Sequence, residues 1–197
     1  METFNLPSET TGSGPIAPAP PPVATTTPAA PIASASADGL PRPWAAGLAS
    51  VALIWPALAG RRWGPQHPIS GLWYRLLRKP VFQPPDAAIP LAWTAIDTGL
   101  AYAAYRLLRQ PKSTARNQAL GWWGLNVGLI GGWSGVFFGR RNLPASTALA
   151  AAMVGTGVAY VATAREADPP AAAAGVPYVA WLAFATVLTA ALWRRNR

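Results

Sequence analysis

Very few side chains in this sequence are suited to catalysis. The chain has no cysteine, which excludes disulfides, thiolate metal sites and a cysteine nucleophile. Its single histidine, His67, cannot build a multi-histidine metal site alone. There is no glycine-rich phosphate loop, no HExxH pair and no plausible Ser-His-Asp set, so no enzyme motif is recognisable.

Tryptophan is the most distinctive residue, since the chain contains ten. Trp93, Trp133 and Trp181 each lie inside a long hydrophobic segment. One such indole could simply fill volume in a helix bundle. Three on separate helices could instead line one aromatic pocket, which would hold a flat, apolar ligand through stacking and burial of apolar area.

Asp97 is the one charged residue in the body of the second hydrophobic segment. A carboxylate near the middle of a bilayer costs about 2.5–3.5 kcal/mol, so Asp97 is expected to face the bundle interior, a water-filled cavity or a partner. Two interpretations follow: a polar anchor for a ligand inside the bundle, or an acid hydrogen-bonded to a neighbouring helix. Arg106 and Arg109 lie too far along the same helix to pair with it directly.

His67 lies in a loop between two hydrophobic segments and is expected to be exposed to solvent. The alternative is an axial ligand to haem iron, a role that one imidazole can fill. No resident metal or cofactor is predicted.

Five hydrophobic segments must position these residues, at about 44–60, 85–106, 117–138, 143–165 and 170–193. The chain is 51% hydrophobic and only 12% charged, about half the charge of a soluble protein. Each segment is long enough to cross a bilayer as a helix, which needs roughly 20 residues, and the first is the shortest. Helices are the only open-chain structures that cross with every backbone group bonded. The predicted fold is an all-α bundle of five transmembrane helices over residues 42–197.

Residues 1–41 differ in composition from the rest of the chain. They contain proline-rich runs such as Pro18 to Pro22, separated by Ala, Ser and Thr. Little apolar surface is available to offset the entropy of folding, so we predict a disordered tail with polyproline character. No Arg or Lys precedes Arg42, which argues against a transit peptide, since these are usually basic.

The connection from Arg61 to Pro84 is too polar and proline-rich to span a membrane. Its Trp63 and Trp73 suit the boundary between membrane and water, as does Trp193 at the end of the last span. We expect a folded loop with a short helix near Ile69–Leu77, lying over one mouth of the bundle.

The distribution of basic residues predicts the orientation. Five spans place the two termini on opposite sides, with ten Arg or Lys residues on the side of the C-terminus and six on the other. The positive-inside rule therefore places the C-terminus in the cytoplasm. Because the positive charge lies beside the spans, it indicates membrane topology rather than nucleic-acid binding.

Glycines four residues apart mark the third span, in the pairs Gly124–Gly128, Gly128–Gly132 and Gly131–Gly135. Such pairs let helix backbones approach closely. They indicate either tight packing within a five-helix bundle or a homodimer formed through this helix.

Three stretches of the sequence, in order, resemble the TspO/MBR family. They are Trp73-Tyr74-Arg75-Leu76-Leu77-Arg78-Lys79-Pro80 with Pro84-Pro85 and Trp93; Trp133-Ser134 with Phe137-Phe138-Gly139-Arg140-Arg141; and Pro177-Tyr178-Val179-Ala180-Trp181-Leu182-Ala183-Phe184-Ala185-Thr186-Val187-Leu188, followed by Trp193-Arg194 and Asn196. The resemblance covers about residues 44–197, with matching spacings and five spans.

This resemblance implies a five-helix bundle, often dimeric, that binds porphyrins, sterols and benzodiazepine-type drugs in a cavity between helices. It implies that the first loop closes this cavity, with lid positions at Trp73, Tyr74, Pro84 and Pro85. The implied ligand-binding positions are Ile89, Trp93, Asp97, Ile130, Trp133, Trp181, Ala185 and Leu188. Trp93 and Trp181 also match the tryptophans linked in some members to light-dependent porphyrin breakdown.

The chain departs from the family pattern at several positions. Where the family has Trp, Tyr, Asn and Asn, this chain has Ala87, Asp97, Ile130 and Thr189. Asn126, one turn before Ile130, is a candidate stand-in for the missing Asn. The C-terminal sterol-recognition pattern lacks its Tyr, which Ala190 or Ala191 replaces, so we do not predict sterol binding through it. The pocket is expected to be more acidic than the family norm.

Three functions are therefore considered. The first is a membrane receptor or carrier for tetrapyrroles such as porphyrin and haem, or for similar flat ligands such as sterols, in transport or stress-linked regulation. The second is an enzyme that degrades porphyrin in light, using Trp93 and Trp181. The third is a regulatory scaffold that recruits partners through the Pro-rich tail. The membrane could be the bacterial inner, mitochondrial outer, secretory or plastid membrane.

Overall fold

The computed structural model describes Met1, Thr3 and residues 39–197. The chain divides into two units, Met1–Ala33 and Ser34–Arg197, and the architecture below is that of the second. The predicted disordered tail lies outside the described residues except at Met1, Thr3 and 39–41. In the described chain every regular element is helical: α1 (Arg42–Ala49), α2 (Val51–Trp63), α3 (Pro68–Leu76), α4 (Ala88–Arg109), α5 (Thr114–Ser134), a π-helical segment (Gly135–Gly139), α6 (Leu143–Ala167) and α7 (Pro169–Arg195).

The all-α prediction is confirmed, and three stretches of the described chain are long and apolar enough to cross a membrane. They are Arg42–Trp63, Leu143–Ala167 and Pro169–Arg195, with 22, 25 and 27 residues. The helices α4 and α5 have 22 and 21 residues, but they carry more polar side chains, such as Asp97 and Arg116. That these two also cross the membrane stays a prediction.

The first predicted span comprises α1 and α2, which meet at Ser50, a residue that keeps helical dihedrals. The Ser50 hydroxyl donates to the Gly47 carbonyl oxygen at 2.6 Å. Pro56, inside α2, has no N–H to contribute to the helix. The predicted short helix of the first loop is confirmed as α3, which begins at Pro68.

Side-chain caps define where the later helices begin. Ser113 accepts from the Arg116 N–H at the start of α5, and Asn142 accepts from the Ala145 N–H at the start of α6. Asp168 is the single residue between α6 and α7, and it accepts from the Ala171 N–H. A one-residue connection leaves α6 and α7 as close neighbours along their length, and each cap satisfies an otherwise unpaired backbone donor.

The core lies where α7 packs against α4 and α6, and where α5 packs against α2 and α6. A polar network crosses it: the Asn126 amide oxygen accepts from the hydroxyls of Tyr178 and Thr156, both at 2.9 Å. The Asn126 Nδ2 donates to the Trp122 carbonyl oxygen at 2.8 Å. Since each of these buried groups has a partner, the network stabilises the contact between α5, α6 and α7.

Candidate functional site

A cavity of about 410 Å³ lies between α2, α4, α5, α6 and α7, a volume typical of small-molecule pockets. All eight residues that the sequence proposed for ligand binding line it: Ile89, Trp93, Asp97, Ile130, Trp133, Trp181, Ala185 and Leu188. The helices bring these residues together because α4 packs against both α7 and α5. That they bind a ligand stays a prediction.

Aromatic rings form much of the cavity wall. Trp93 and Trp181 meet edge to face, with ring centroids 6.3 Å apart and planes at 81°. Trp133 stacks on Phe137 at 4.7 Å, and its indole N–H donates to the Ser146 carbonyl oxygen at 2.9 Å. Because α6 satisfies the polar edge of Trp133, its apolar face is free to contact the cavity.

Asp97 is the only acidic or basic side chain among the described residues that line this cavity. Its Oδ1 atom is buried and has no hydrogen-bond partner in the described chain. The alternative that Asp97 is hydrogen-bonded to a neighbouring helix therefore has no support from this carboxyl oxygen. Arg106 pairs elsewhere, with Asp168, at 2.9 Å from Nε to Oδ1.

Asn126 does not stand in for the Asn that Ile130 replaces, so that expectation is wrong. Ile130 lines the cavity, whereas Asn126 is fully buried in the core outside it. The Asn126 amide oxygen accepts from Tyr178 of α7 and Thr156 of α6, which keeps the amide in the core and away from the cavity.

The first loop contributes to one end of the cavity through Tyr74 and the Gly64–Gln66 segment. Burial, and next the charge of Asp86, raises the pKa of Tyr74 to about 12, so the phenol stays protonated at neutral pH. Of the other lid positions, Trp73 packs edge-on against Phe137 at 5.5 Å. Pro84 and Pro85 are not among the residues that line the cavity.

Asn196 ties this loop to the end of α7. The Arg78 backbone N–H donates to Asn196 Oδ1 at 2.9 Å, and Asn196 Nδ2 donates to the Arg78 carbonyl oxygen at 3.1 Å. This pair of bonds holds the loop over the cavity end that Leu188 and Leu192 also line.

The sequence reasoning missed the walls that α2 and α6 contribute. Leu53, Pro56, Ala57 and Gly60 of α2 line the cavity, as does Met153 of α6. The spacing of the α2 residues, at positions i, i+3, i+4 and i+7, places them on one helical face. That spacing of small and apolar residues could have identified this face of α2 as a cavity wall.

His67 is half-buried, so the expectation of an exposed loop histidine holds only in part. It lines a second cavity of about 800 Å³, and its Nδ1 atom is buried with no hydrogen-bond partner in the described chain. The fold places His67 at the residue before α3, where the chain turns back beside α2. It is not among the residues lining the aromatic cavity, so it does not lie where it could ligate a haem held there. No group of three or more His, Cys, Asp or Glu that could hold a metal occurs in the described part.

Comparison with known proteins gives a consistent family assignment. Residues 45–194 match the model of the TspO/MBR family. The chain is 31% identical over 130 residues to the translocator protein of Bos taurus, covering 64% of this chain and 75% of that protein. It is 34% identical over 128 residues to the tryptophan-rich sensory protein of Cereibacter sphaeroides, covering 63% and 77%. It is also 27% identical over 128 residues to the protein CrtK of Rhodobacter capsulatus, covering 64% and 79%.

Proposed function

Because the chain belongs to the TspO/MBR family of membrane proteins, we propose that it is a receptor or carrier that holds a flat, largely apolar ligand in the aromatic cavity. Porphyrins and haem are the first candidates, and sterols are the second. Transport of the ligand, or regulation linked to it under stress, would be the physiological role.

One observation carries this proposal. Eight residues chosen on sequence grounds, from three separate helices, line a single cavity of about 410 Å³. A flat ligand lying against Trp93 and Trp181 would bury apolar area, and the rings would add the attraction of aromatic contacts. The volume and aromatic walls therefore suit a planar ring system better than a flexible polar molecule.

Asp97 supplies the polar anchor. A buried carboxyl oxygen without a donor is unfavourable, and a ligand N–H or O–H would satisfy it. The pyrrole N–H groups of a tetrapyrrole and the hydroxyl of a sterol are both suitable donors. Ligand carboxylates, in contrast, would be repelled by Asp97 and would face the loop end of the cavity.

Titration of the purified protein with protoporphyrin, followed by the porphyrin's own absorbance, tests the proposal. The double variant Trp93→Ala, Trp181→Ala should bind at least about tenfold more weakly, since it removes two large buried surfaces. Trp44→Ala, Trp193→Ala is the matched control, because these two indoles are 69% and 38% exposed and lie outside the cavity. Equal affinity in the wild type and the cavity variant would reject this binding site.

A screen of porphyrins against sterols with the same variants ranks the two ligand classes. If the sterol binds more tightly, with the same dependence on Trp93 and Trp181, the cavity is the binding site and its ligand is a sterol. Binding of either class that survives loss of both tryptophans would place the ligand elsewhere.

Light-dependent porphyrin breakdown is the second candidate function. The contact between Trp93 and Trp181 at 6.3 Å favours it, because both indoles would touch one bound porphyrin. Illumination of the complex should then yield a product that free porphyrin does not form. The Trp93→Ala, Trp181→Ala variant should lose it even at saturating porphyrin.

A scaffold role for the Pro-rich tail is separable from ligand binding. The tail lies outside the described residues except at Met1, Thr3 and 39–41. Deletion of residues 1–41 should remove partner recruitment and leave porphyrin affinity unchanged.

Five membrane-spanning segments with a cytoplasmic C-terminus complete the proposed topology. The three apolar helices of the described chain support it, as does the excess of basic residues on the C-terminal side. A C-terminal tag should be digested when protease is added to the cytoplasmic face. Protection of the tag there would reverse the orientation.

A homodimer through α5 is the proposed assembly. The helix uses its glycines in two ways: a side chain at Gly131 would meet Trp55 of α2, whereas one at Gly124 or Gly128 would meet nothing within 4 Å. The second face is open for a partner helix. Gly128→Leu should lower the crosslinked dimer fraction, whereas Gly155→Leu, on an equally open position of α6, should not.

A further inference from the structure

The second cavity, of about 800 Å³, differs in position and chemistry from the aromatic one. It is formed where α2 ends, at Arg62 and Trp63, and where Arg140 and Arg141 lead from the π-helical segment toward α6. Both α2 and α6 belong to stretches apolar enough to cross a membrane. The shared end of two such helices is the level at which lipid headgroups lie.

Three arginines give this cavity its charge. Arg62, Arg140 and Arg141 all line it, and no acidic residue does so among those described. None of the three takes part in an ion pair in the described part of the chain. Three like charges around one cavity repel each other, and an anion among them would reverse the sign of that interaction.

A buried polar atom adds a second requirement for a ligand. His67 lines the cavity, and its Nδ1 has no hydrogen-bond partner in the described chain. An imidazole nitrogen in the protonated tautomer is a donor. A phosphate oxygen is an acceptor that would satisfy it, together with the guanidinium groups.

Apart from Ser70, the rest of the lining consists of apolar residues and glycines, and this favours a lipid over a soluble anion. Ile69, Val136 and Leu149 line the same cavity, and Ile69 is 62% exposed. The Trp63 ring lies over Gly139, 3.1 Å from where a Cβ would stand. A free phosphate ion would leave this apolar surface unused, whereas an acyl chain would cover it.

We propose that this cavity binds an anionic phospholipid, with the headgroup phosphate among the three arginines and His67 and one acyl chain along the apolar wall. Basic pockets between membrane helices recognise acidic headgroups in this way. The site is distinct from the aromatic cavity, with which it shares only Phe138. The lipid would reinforce the contact of α3 with the π-helical segment.

Binding of phosphatidylglycerol and phosphatidylcholine to the full chain in mixed micelles, measured by native mass spectrometry, tests the proposal. The wild type should prefer phosphatidylglycerol, and Arg62→Gln, Arg140→Gln, Arg141→Gln should lower that affinity at least about tenfold. The matched control is Arg194→Gln, Arg195→Gln, Arg197→Gln, which removes equal charge outside the cavity and should change the affinity less than twofold. An equal loss of phosphatidylglycerol affinity in both triple variants would show that general surface charge causes the preference, and would overturn the proposal.

A second variant keeps every arginine and removes the space. A side chain at Gly132 meets nothing within 4 Å and would point into open volume, and Gly132 lines the cavity. Gly132→Leu should weaken phosphatidylglycerol binding severalfold, whereas Gly124→Leu, on the same helix but outside the cavity, should not. Unchanged binding in Gly132→Leu, or competition by inorganic phosphate at the same concentration as lipid, would reject a phospholipid. Retained protoporphyrin binding in each variant shows that the bundle is folded.

Discussion

Two carboxyl groups of this bundle lie in opposite polar surroundings. Asp168, at the corner between α6 and α7, is 2% exposed and accepts hydrogen bonds from Arg106, Gln110 and the Ala171 N–H. Asp97, in the aromatic cavity, has a buried oxygen that accepts none in the described chain. A saturated carboxyl can only hold the fold together, whereas an unsatisfied one beside a cavity is available to a ligand. The comparison separates a structural acid from a candidate binding acid.

The largest effect on stability is expected from loss of Asp168, whose carboxyl accepts hydrogen bonds from three residues. Asp168→Ala removes the N-cap of α7 and the partner of Arg106, and should lower the free energy of unfolding by about 2 kcal/mol. Thermal unfolding in detergent measures the change. Asp86→Ala is the matched control, because Asp86 belongs to a surface ion pair with Lys79 and its side chain is 65% exposed; such pairs contribute about 0–1 kcal/mol. Porphyrin affinity should stay unchanged in both variants. A large loss of porphyrin affinity in a folded Asp168→Ala variant would contradict a purely structural role for Asp168.

Replacement of Asp97 should affect stability and ligand affinity differently. Asp97→Leu removes a buried group without a partner, so the thermal midpoint should stay level or rise. Affinity for a ligand with N–H or O–H donors should fall about tenfold, since hydrogen bonds to charged groups contribute about 1.5–3 kcal/mol.

The control for Asp97 lies one turn earlier on α4. Thr94 also lines the cavity, but its hydroxyl already donates to the Pro90 carbonyl oxygen at 2.9 Å. Thr94→Val should therefore change affinity less than twofold. A loss of affinity as large as that of Asp97→Leu would show that cavity shape, and not the free carboxyl, governs binding.

Low pH should lower the stability that Asp168 contributes at the junction of α6 and α7. Burial by itself raises the pKa of the Asp168 carboxyl, but hydrogen bonds from Arg106, the Ala171 N–H and Gln110 hold that pKa below its usual value. A lowered folded-state pKa gives stability that is present above the unfolded pKa of about 3.9 and is lost as the pH falls through the folded value. The thermal midpoint of the wild type should thus drop below about pH 4 more steeply than that of Asp168→Asn. If the thermal midpoints of the wild type and Asp168→Asn fall in parallel as the pH drops, Asp168 is not the cause of the acid sensitivity.

The smallest effect is expected where the loop meets α7. Asn196→Ala deletes both hydrogen bonds to the Arg78 backbone, which are exposed and contribute about 0.5–1.5 kcal/mol each at most. The loop should open more often, so porphyrin should enter and leave about two- to threefold faster with little change in Kd. Stopped-flow absorbance measures both rates, and Arg75→Ala, in the same loop but outside this contact, is the control.

Much of the architecture was predictable because it depends on local composition. The long apolar segments predicted helices whose ends differ from α4, α6 and α7 by a few residues, and the prolines around 65–80 predicted a loop with a short helix. The division into α1 and α2 at Ser50 was not predictable, since no proline or glycine marks that position. The walls from α2 and α6 were missed because their residues are small and carry no functional group, although their spacing shares one face.

The candidate site was predictable in its aromatic part and not in its polar part. Trp93, Trp133 and Trp181 were selected from residue type and family resemblance, and they line one cavity. The surroundings of Asn126 and of His67 Nδ1 were not predictable, because they depend on which helix faces them. Asn126 is bonded to α6 and α7 through Thr156 and Tyr178, and the turn before α3 buries His67 Nδ1.

By itself the sequence determined that this chain is a helical membrane protein of the TspO/MBR family, since apolar run length and motif order are properties of the chain alone. Only the tertiary structure decided which polar groups have partners. Asp97 and Asp168 are chemically identical, and Arg106 is much closer in sequence to Asp97. It nevertheless bonds Asp168, 62 residues away. A hydrogen bond requires two atoms about 3 Å apart, and that distance is set by how helices pack, not by how far apart the residues lie along the chain.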